Sequence, residues 1–180
     1  ITTTAASIAA GTAVTVTVTQ LTMGAATAGS NGITITTSVD QTPSGSMSSG
    51  VIGGQVTGTT FAMASVHRVA ALTTAAATFS FKTTAGGALA VGSKITLTYP
   101  SAFFASSGSP AVVFSIGGMT GTVATPTATQ IIITTGGASV AASTAVTVTL
   151  TLLTMGAATA GSNGISVTTS VDQTASVQMS

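Results

Sequence analysis

Alternation of β-branched apolar residues with hydroxyl residues dominates the chain. Val14-Thr15-Val16-Thr17-Val18-Thr19 is one such run, and Val146-Thr147-Val148-Thr149-Leu150-Thr151 is another. Successive side chains of an extended chain point to opposite sides, so each run puts its aliphatic residues on one face and its threonines on the other. Valine and threonine are stiff at χ1 and favour strands. The same pattern predicts strands over 55–64, 77–83, 93–99, 111–116, 121–124 and 130–135, and over 32–39 with its counterpart 164–171. Turn chemistry separates them. Ser30-Asn31-Gly32 and Ser162-Asn163-Gly164 tolerate positive φ, and Gly86-Gly87, Tyr99-Pro100, Ser109-Pro110 and Gly117-Gly118 mark further loops. No segment carries the apolar stripe of an amphipathic helix. Short strands at regular spacing predict an all-β chain folded as an antiparallel β-sandwich.

Two parts of the chain are copies of one another. Residues 1–48 align with 133–180 without a gap, at an offset of 132 (Ile33 to Ile165, 165 − 33), and 37 of the 48 pairs are identical. The phrase LTMGAATAGSNGI runs from Leu21 to Ile33 and again from Leu153 to Ile165. A period of this length fits one ordinary domain and points to tandem repeats. The expected organisation is the C-terminal part of one repeat, 1–48, then one complete repeat, 49–180, with the Ser- and Gly-rich stretch 41–50 as linker. Residues 1–48 hold only the last strands of a domain, which alone would expose a valine face and unpaired edges. Either the rest of that domain precedes them in a longer chain, or they add to a sheet of a neighbouring subunit. Val14, Val16, Val18 and Leu21 are the candidate inter-subunit strand.

Charge narrows the function classes. Asp40, Asp172, Arg68, Lys82 and Lys94 are the only charged side chains and the net charge is +1, where an ordinary domain carries roughly a quarter charged residues. Such a chain has almost no field to steer nucleic acid, and it lacks basic–aromatic interleaving. It also has little colloidal repulsion, so copies are expected to associate with one another. There is no cysteine, and the core must suffice without disulfides. No run reaches the ~20 continuous apolar residues of a spanning helix, and six Phe with one Tyr do not furnish the aromatic girdles of a membrane barrel. The sequence opens in mid-repeat with no leader pattern, so Ile1 is read as a cleavage site, a limit of visibility or an arbitrary cut.

Candidate chemistry is sparse, and no enzyme is expected. His67, the single histidine, has no Cys or carboxylate cluster to share a metal with, and reads as a surface or strand-end residue. Asp40 and Asp172 are equivalent positions of two copies, not an acid–base pair, and their expected role is to end a strand. An amide cross-link from Lys82 or Lys94 to Asn163 or Asp172 lacks the acidic helper such links use, because the chain has no Glu. Gly24, Gly29 and Gly32 lack the spacing and the Lys of a phosphate loop and read as turns. No cofactor is implied. The threonine ladders also suit an ice-binding surface, although cross-strand Thr pairs stabilise sheets by themselves. Asn31 and Asn163 are each followed by Gly-Ile, so N-linked sugar is not expected. Covalent O-linked glycans are expected at Thr42, Ser44 and Ser46 around Pro43, and at Thr125 and Thr127 around Pro126.

The run Lys94-Ile95-Thr96-Leu97-Thr98-Tyr99-Pro100-Ser101-Ala102-Phe103-Phe104, residues 145–154 and the LTMGAATAGSNG phrase together resemble tandem Ig-like repeats of giant, Thr/Ala/Gly-rich extracellular proteins of microbes and algae. They are also similar to the subunits of helical extracellular fibrils recovered from natural waters, some of which carry glycans. The resemblance implies an extracellular or cell-surface structural subunit whose partner is itself, and transfers no catalytic residues. The alternative it leaves open is a stalk repeat of a cell-surface adhesin.

Overall fold

A computed structural model describes residues 7–161 and 163–179. Its eight strands are β1 (Thr57–Ala62), β2 (Ala75–Lys82), β3 (Lys94–Thr98), β4 (Ala111–Phe114), β5 (Met119–Val123), β6 (Gln130–Gly137), β7 (Ala145–Leu153) and β8 (Ser166–Thr169). They form two four-stranded sheets in the orders β1-β2-β7-β4 and β5-β6-β3-β8, with antiparallel pairing throughout. One 3-10 turn, Ser65–His67, is the helical content of the described residues. No helix among them is long and apolar enough to cross a membrane.

The period-two pattern becomes a two-layer sandwich. Phe79 and Phe81 of β2, Ile95 and Leu97 of β3, Ile131 and Ile133 of β6, and Val146, Val148 and Leu150 of β7 all point into one core shared by both sheets. Each such side chain contributes roughly 1.5–3 kcal/mol by leaving water. An aromatic corner closes one end, where Phe104 lies edge-on to Tyr99 at 5.0 Å and to Phe103 at 4.7 Å. The registers of β2 and β7 shift between Ala75/Leu153 and Ala77/Leu150, which leaves one extra residue on β7. Leu152 takes a φ of +57° there, a bulge conformation that turns its side chain to solvent.

Tyr99 is fully buried and donates its hydroxyl to the Thr127 carbonyl at 2.9 Å. Burial pushes its phenol up to about 12 from 10.0. The folded state therefore keeps the proton at a pH where the unfolded chain has lost it. Stability from this source is complete below pH 10 and falls between about pH 10 and 12. Thermal melts across pH 8–12 should show a midpoint steady at first and declining above 10 (a pH range set by the ordinary phenol value of about 10). The Tyr99→Phe chain should lose less over that upper range.

The eight strands overlap eight of the predicted segments. The other two, 14–19 and 32–39, do not form strands. Alternation selects which face a residue would occupy, but a strand also needs a neighbour to accept its backbone hydrogen bonds. Among the described residues, 7–48 join no strand ladder and meet partners only at the isolated bridges of Thr27 and Ile33 and in a few loop bonds.

Candidate assembly surface

The two copies of the repeated segment meet opposite fates. Val146, Val148 and Leu150 are each 0% exposed at the centre of the first sheet, whereas their equivalents Val14, Val16 and Val18 are 55%, 56% and 56% exposed. Leu153, Met155, Ile165 and Met179 are buried, while Leu21, Met23, Ile33 and Met47 lie open to solvent. Between residues 7 and 50, Ala26 and Gly29 are the sole positions that are not exposed. The sequence difference is too small to cause this. What differs is the surroundings: β7 lies between β2 and β4, and β8 lies against β3.

The exposed copy nevertheless keeps the local shape of the buried one. Ile33 and Met47 form an antiparallel bridge, as Ile165 and Met179 do. Ser44 N–H donates to the Ile35 carbonyl at 3.0 Å and the Ser44 hydroxyl accepts from Ile35 N–H at 3.0 Å; Ser176 and Val167 repeat both bonds at 3.0 Å. Asp40 N–H donates to Thr37 Oγ1 at 2.7 Å, and Asp172 N–H to Thr169 Oγ1 at 2.8 Å. Gln20 sits at φ +60°, matching Leu152. Residues 33–47 are thus a preformed hook, held by short-range bonds that need no sandwich.

The tip of that hook is a carboxylate. Asp172 is 0% exposed. Its Oδ1 accepts from Gly54 N–H at 2.9 Å and from the Thr84 hydroxyl, and its Oδ2 accepts from Thr84 N–H at 3.0 Å. A methyl group at Gly87 would collide with this carboxylate, so the socket requires glycine there. A buried carboxylate without a cation is tolerable when several donors satisfy its oxygens. Asp172 does end a strand in a turn, as expected, and also ties the C-terminal tail to two loops 118 and 88 positions away. Those distances leave no trace in local sequence. Asp40 has the same turn but lies exposed, and its carboxylate meets no such socket among the described residues.

A second contact joins residues 27–30 to residues 49–52. Thr27 and Ile52 exchange backbone bonds at 3.0 Å, and Ser30 N–H donates to the Ser49 hydroxyl at 2.9 Å. The pair lies over Gly86, where a side chain would strike the carbonyls of Ile52 and Thr27. The matching phrase of the second copy, 157–161, is exposed beside a cleft of about 650 Å³ lined by Phe61, Arg68, Phe103, Met155 and Ile165.

The remaining candidates carry no site chemistry. His67 is half-buried with its Nδ1 unpartnered, and no group of three or more His, Cys, Asp or Glu side chains gathers among the described residues. Lys82 and Lys94 are exposed, and the donors on Asp172 are Gly54 and Thr84, not an ammonium. Thr42, Ser44, Ser46, Thr125 and Thr127 are all exposed. The Ser44 hydroxyl is engaged by Ile35 and the Thr127 hydroxyl by Gln130, whereas those of Thr42, Ser46 and Thr125 make no hydrogen bond among the described residues. The threonine face of the first sheet bonds to itself, with Thr78 and Thr149 hydroxyls at 3.2 Å and Thr60 and Ser80 at 2.7 Å. No protein-family model, curated protein or solved structure matches the chain.

Proposed function

We propose that this chain is a structural subunit of an extracellular or cell-surface fibre, built from tandem Ig-like, Greek-key sandwich repeats that associate with copies of themselves. The observation that carries the reading is the exposed copy: a segment whose twin is a sandwich core presents the same apolar face to solvent. Large exposed apolar patches mark interaction surfaces, and extended segments bind by adding to a sheet. The Greek-key part is supported by the chain crossing repeatedly between sheets, with β2, β4 and β7 in one and β3, β6 and β8 in the other. O-linked sugar is assigned to Thr42, Ser46 and Thr125, whose hydroxyls are unengaged.

An adhesin stalk built from the same repeats is the second reading, favoured by the Thr27–Ile52 junction that links successive repeats along one chain. Electron microscopy and light scattering of the purified chain separate them. A fibre subunit forms filaments by itself, and a stalk repeat stays dispersed. With five charged side chains, filament yield should be unchanged between about 0.01 M and 1 M salt, a range over which the screening length drops from about 30 to 3 Å. Dispersed monomers under all these conditions would remove the fibre reading.

A further inference from the structure

We infer that residues 7–48 are a second, interchangeable closing segment, and that the partner they fit is the sandwich of another copy of this chain, in the place that residues 139–179 occupy in their own. The inference rests on the proposed self-association and names its site. The groove consists of β2 and β4, which flank β7, together with β3, which carries β8, and the Gly54–Thr84 socket for the aspartate.

Three observations carry it. First, the core-facing residues match. Val14, Val16, Leu21, Met23, Ile33, Asp40 and Met47 are identical to the buried Val146, Val148, Leu153, Met155, Ile165, Asp172 and Met179. Three buried positions differ by one methylene each: Ile8 for Val140, Val18 for Leu150 and Ile35 for Val167. Two gains and one loss nearly conserve core volume, the kind of change that cores tolerate best. Second, the larger differences fall where they do no harm. Gln20, Pro43, Gly45 and Ser46 replace Leu152, Ala175, Val177 and Gln178, all of them exposed. Gly11 replaces Ser143, at positions where both copies adopt positive φ and glycine is the easier residue. Third, the hook at 33–47 already holds the bonded conformation, so docking does not have to order it.

The two segments therefore compete for one groove on nearly equal terms. Against residues 7–48 of another chain the C-terminal one prevails in dilute solution, because its tether gives it an effective concentration on the order of mM. Removing that advantage should reveal the exchange. Val148→Asp places a charge at the buried centre of β7 and disables the C-terminal segment. The full-length V148D chain is expected to fold as a dimer in which each chain's residues 7–48 fill the other's groove. V16D should be a folded monomer, and V16D/V148D should lose the cooperative unfolding transition. Sedimentation and thermal melts read all three. A folded monomer for V148D, or a folded double variant, overturns the inference.

V148D could fail to fold for reasons of its own, so a second experiment uses an intact core. Thr78 lies opposite Thr149, whose equivalent is Thr17, and the chain has no cysteine of its own. T17C/T78C refolded at about 1 mM under oxidising conditions should yield a substantial fraction of disulfide-linked dimer, dropping below roughly one chain in a hundred at about 1 µM, as the mM tether requires. Only monomeric chains, uncrosslinked or closed on themselves, at the higher concentration would overturn the exchange. Filaments of the unmodified chain alongside that result would leave the fibre reading intact and reject this site alone.

Discussion

Asp172→Ala is expected to destabilise the sandwich by about 3 kcal/mol, while Asp40→Ala leaves the unfolding midpoint unchanged. Removing the Asp172 carboxylate takes the acceptor away from the N–H groups of Gly54 and Thr84 and from the Thr84 hydroxyl. Breaking a buried charged acceptor away from its donors typically costs about 3–5 kcal/mol, and a single stranded donor about 1–3 kcal/mol. The socket donors are half-buried, which places the expectation at the lower end of the first range. For a chain of this size the melting point would drop by roughly 6–12 °C, at about 2–4 °C per kcal/mol. The turn itself is a poor explanation for any loss. Its bonds use the backbone of Asp172 and the hydroxyl of Thr169, which alanine would preserve. Asp40 controls for this point, because its turn is the same and its carboxylate has no socket. Equal effects at the two positions, read by urea or thermal unfolding, would refute the socket as a source of stability.

Leu153→Ala and Leu21→Ala form a second pair. Leu153 is 0% exposed at the end of β7 and packs in the core, and Leu21 is 69% exposed. Truncating a buried leucine costs about 2–5 kcal/mol, transfer and cavity together, so about 3 kcal/mol is expected for Leu153. Truncating an exposed one normally changes stability by less than about 0.5 kcal/mol. The comparison is unusually direct, since the residues after both leucines are the same from Thr22/Thr154 through Ile33/Ile165. Effects on the unfolded chain therefore largely cancel between the two variants. Dilute protein is essential, because Leu21 becomes a core residue wherever residues 7–48 dock. A loss at Leu21 that grows with protein concentration would itself report assembly.

The strands of the sandwich are legible in the sequence because their information is local. Alternation at 77–83, 93–99 and 146–151 marks both the strand and its buried face, and β2, β3 and β7 lie there. Residues 14–19 carry an equally clear pattern and form no strand, since the pattern says nothing of whether β2- and β4-like neighbours are present to receive it. Strand β7 runs past its alternating segment because Leu152 and Leu153 break the alternation at a bulge. Asp172 is recognisable as a turn residue from its type, but its socket depends on Gly54, Thr84 and Gly87 being brought together by the fold. The repeat itself is the strongest sequence signal for the candidate assembly surface. It singles out Val14, Val16, Val18 and Leu21 without showing that the hook at 33–47 is already shaped.

The position of β7 in the first sheet has a kinetic consequence. That sheet cannot close until its central strand exists, and Leu153, the last residue of β7, is made 132 residues after its equivalent Leu21 (153 − 21). At about 5–20 residues per second of synthesis, roughly 7–26 s separate the emergence of Leu21 from that of Leu153. Late in that interval β2 and β4 have left the ribosome with an unfilled gap between them. The order of synthesis thus leaves the groove open before β7 emerges, and in that interval residues 7–48 of another copy would meet no tethered competitor.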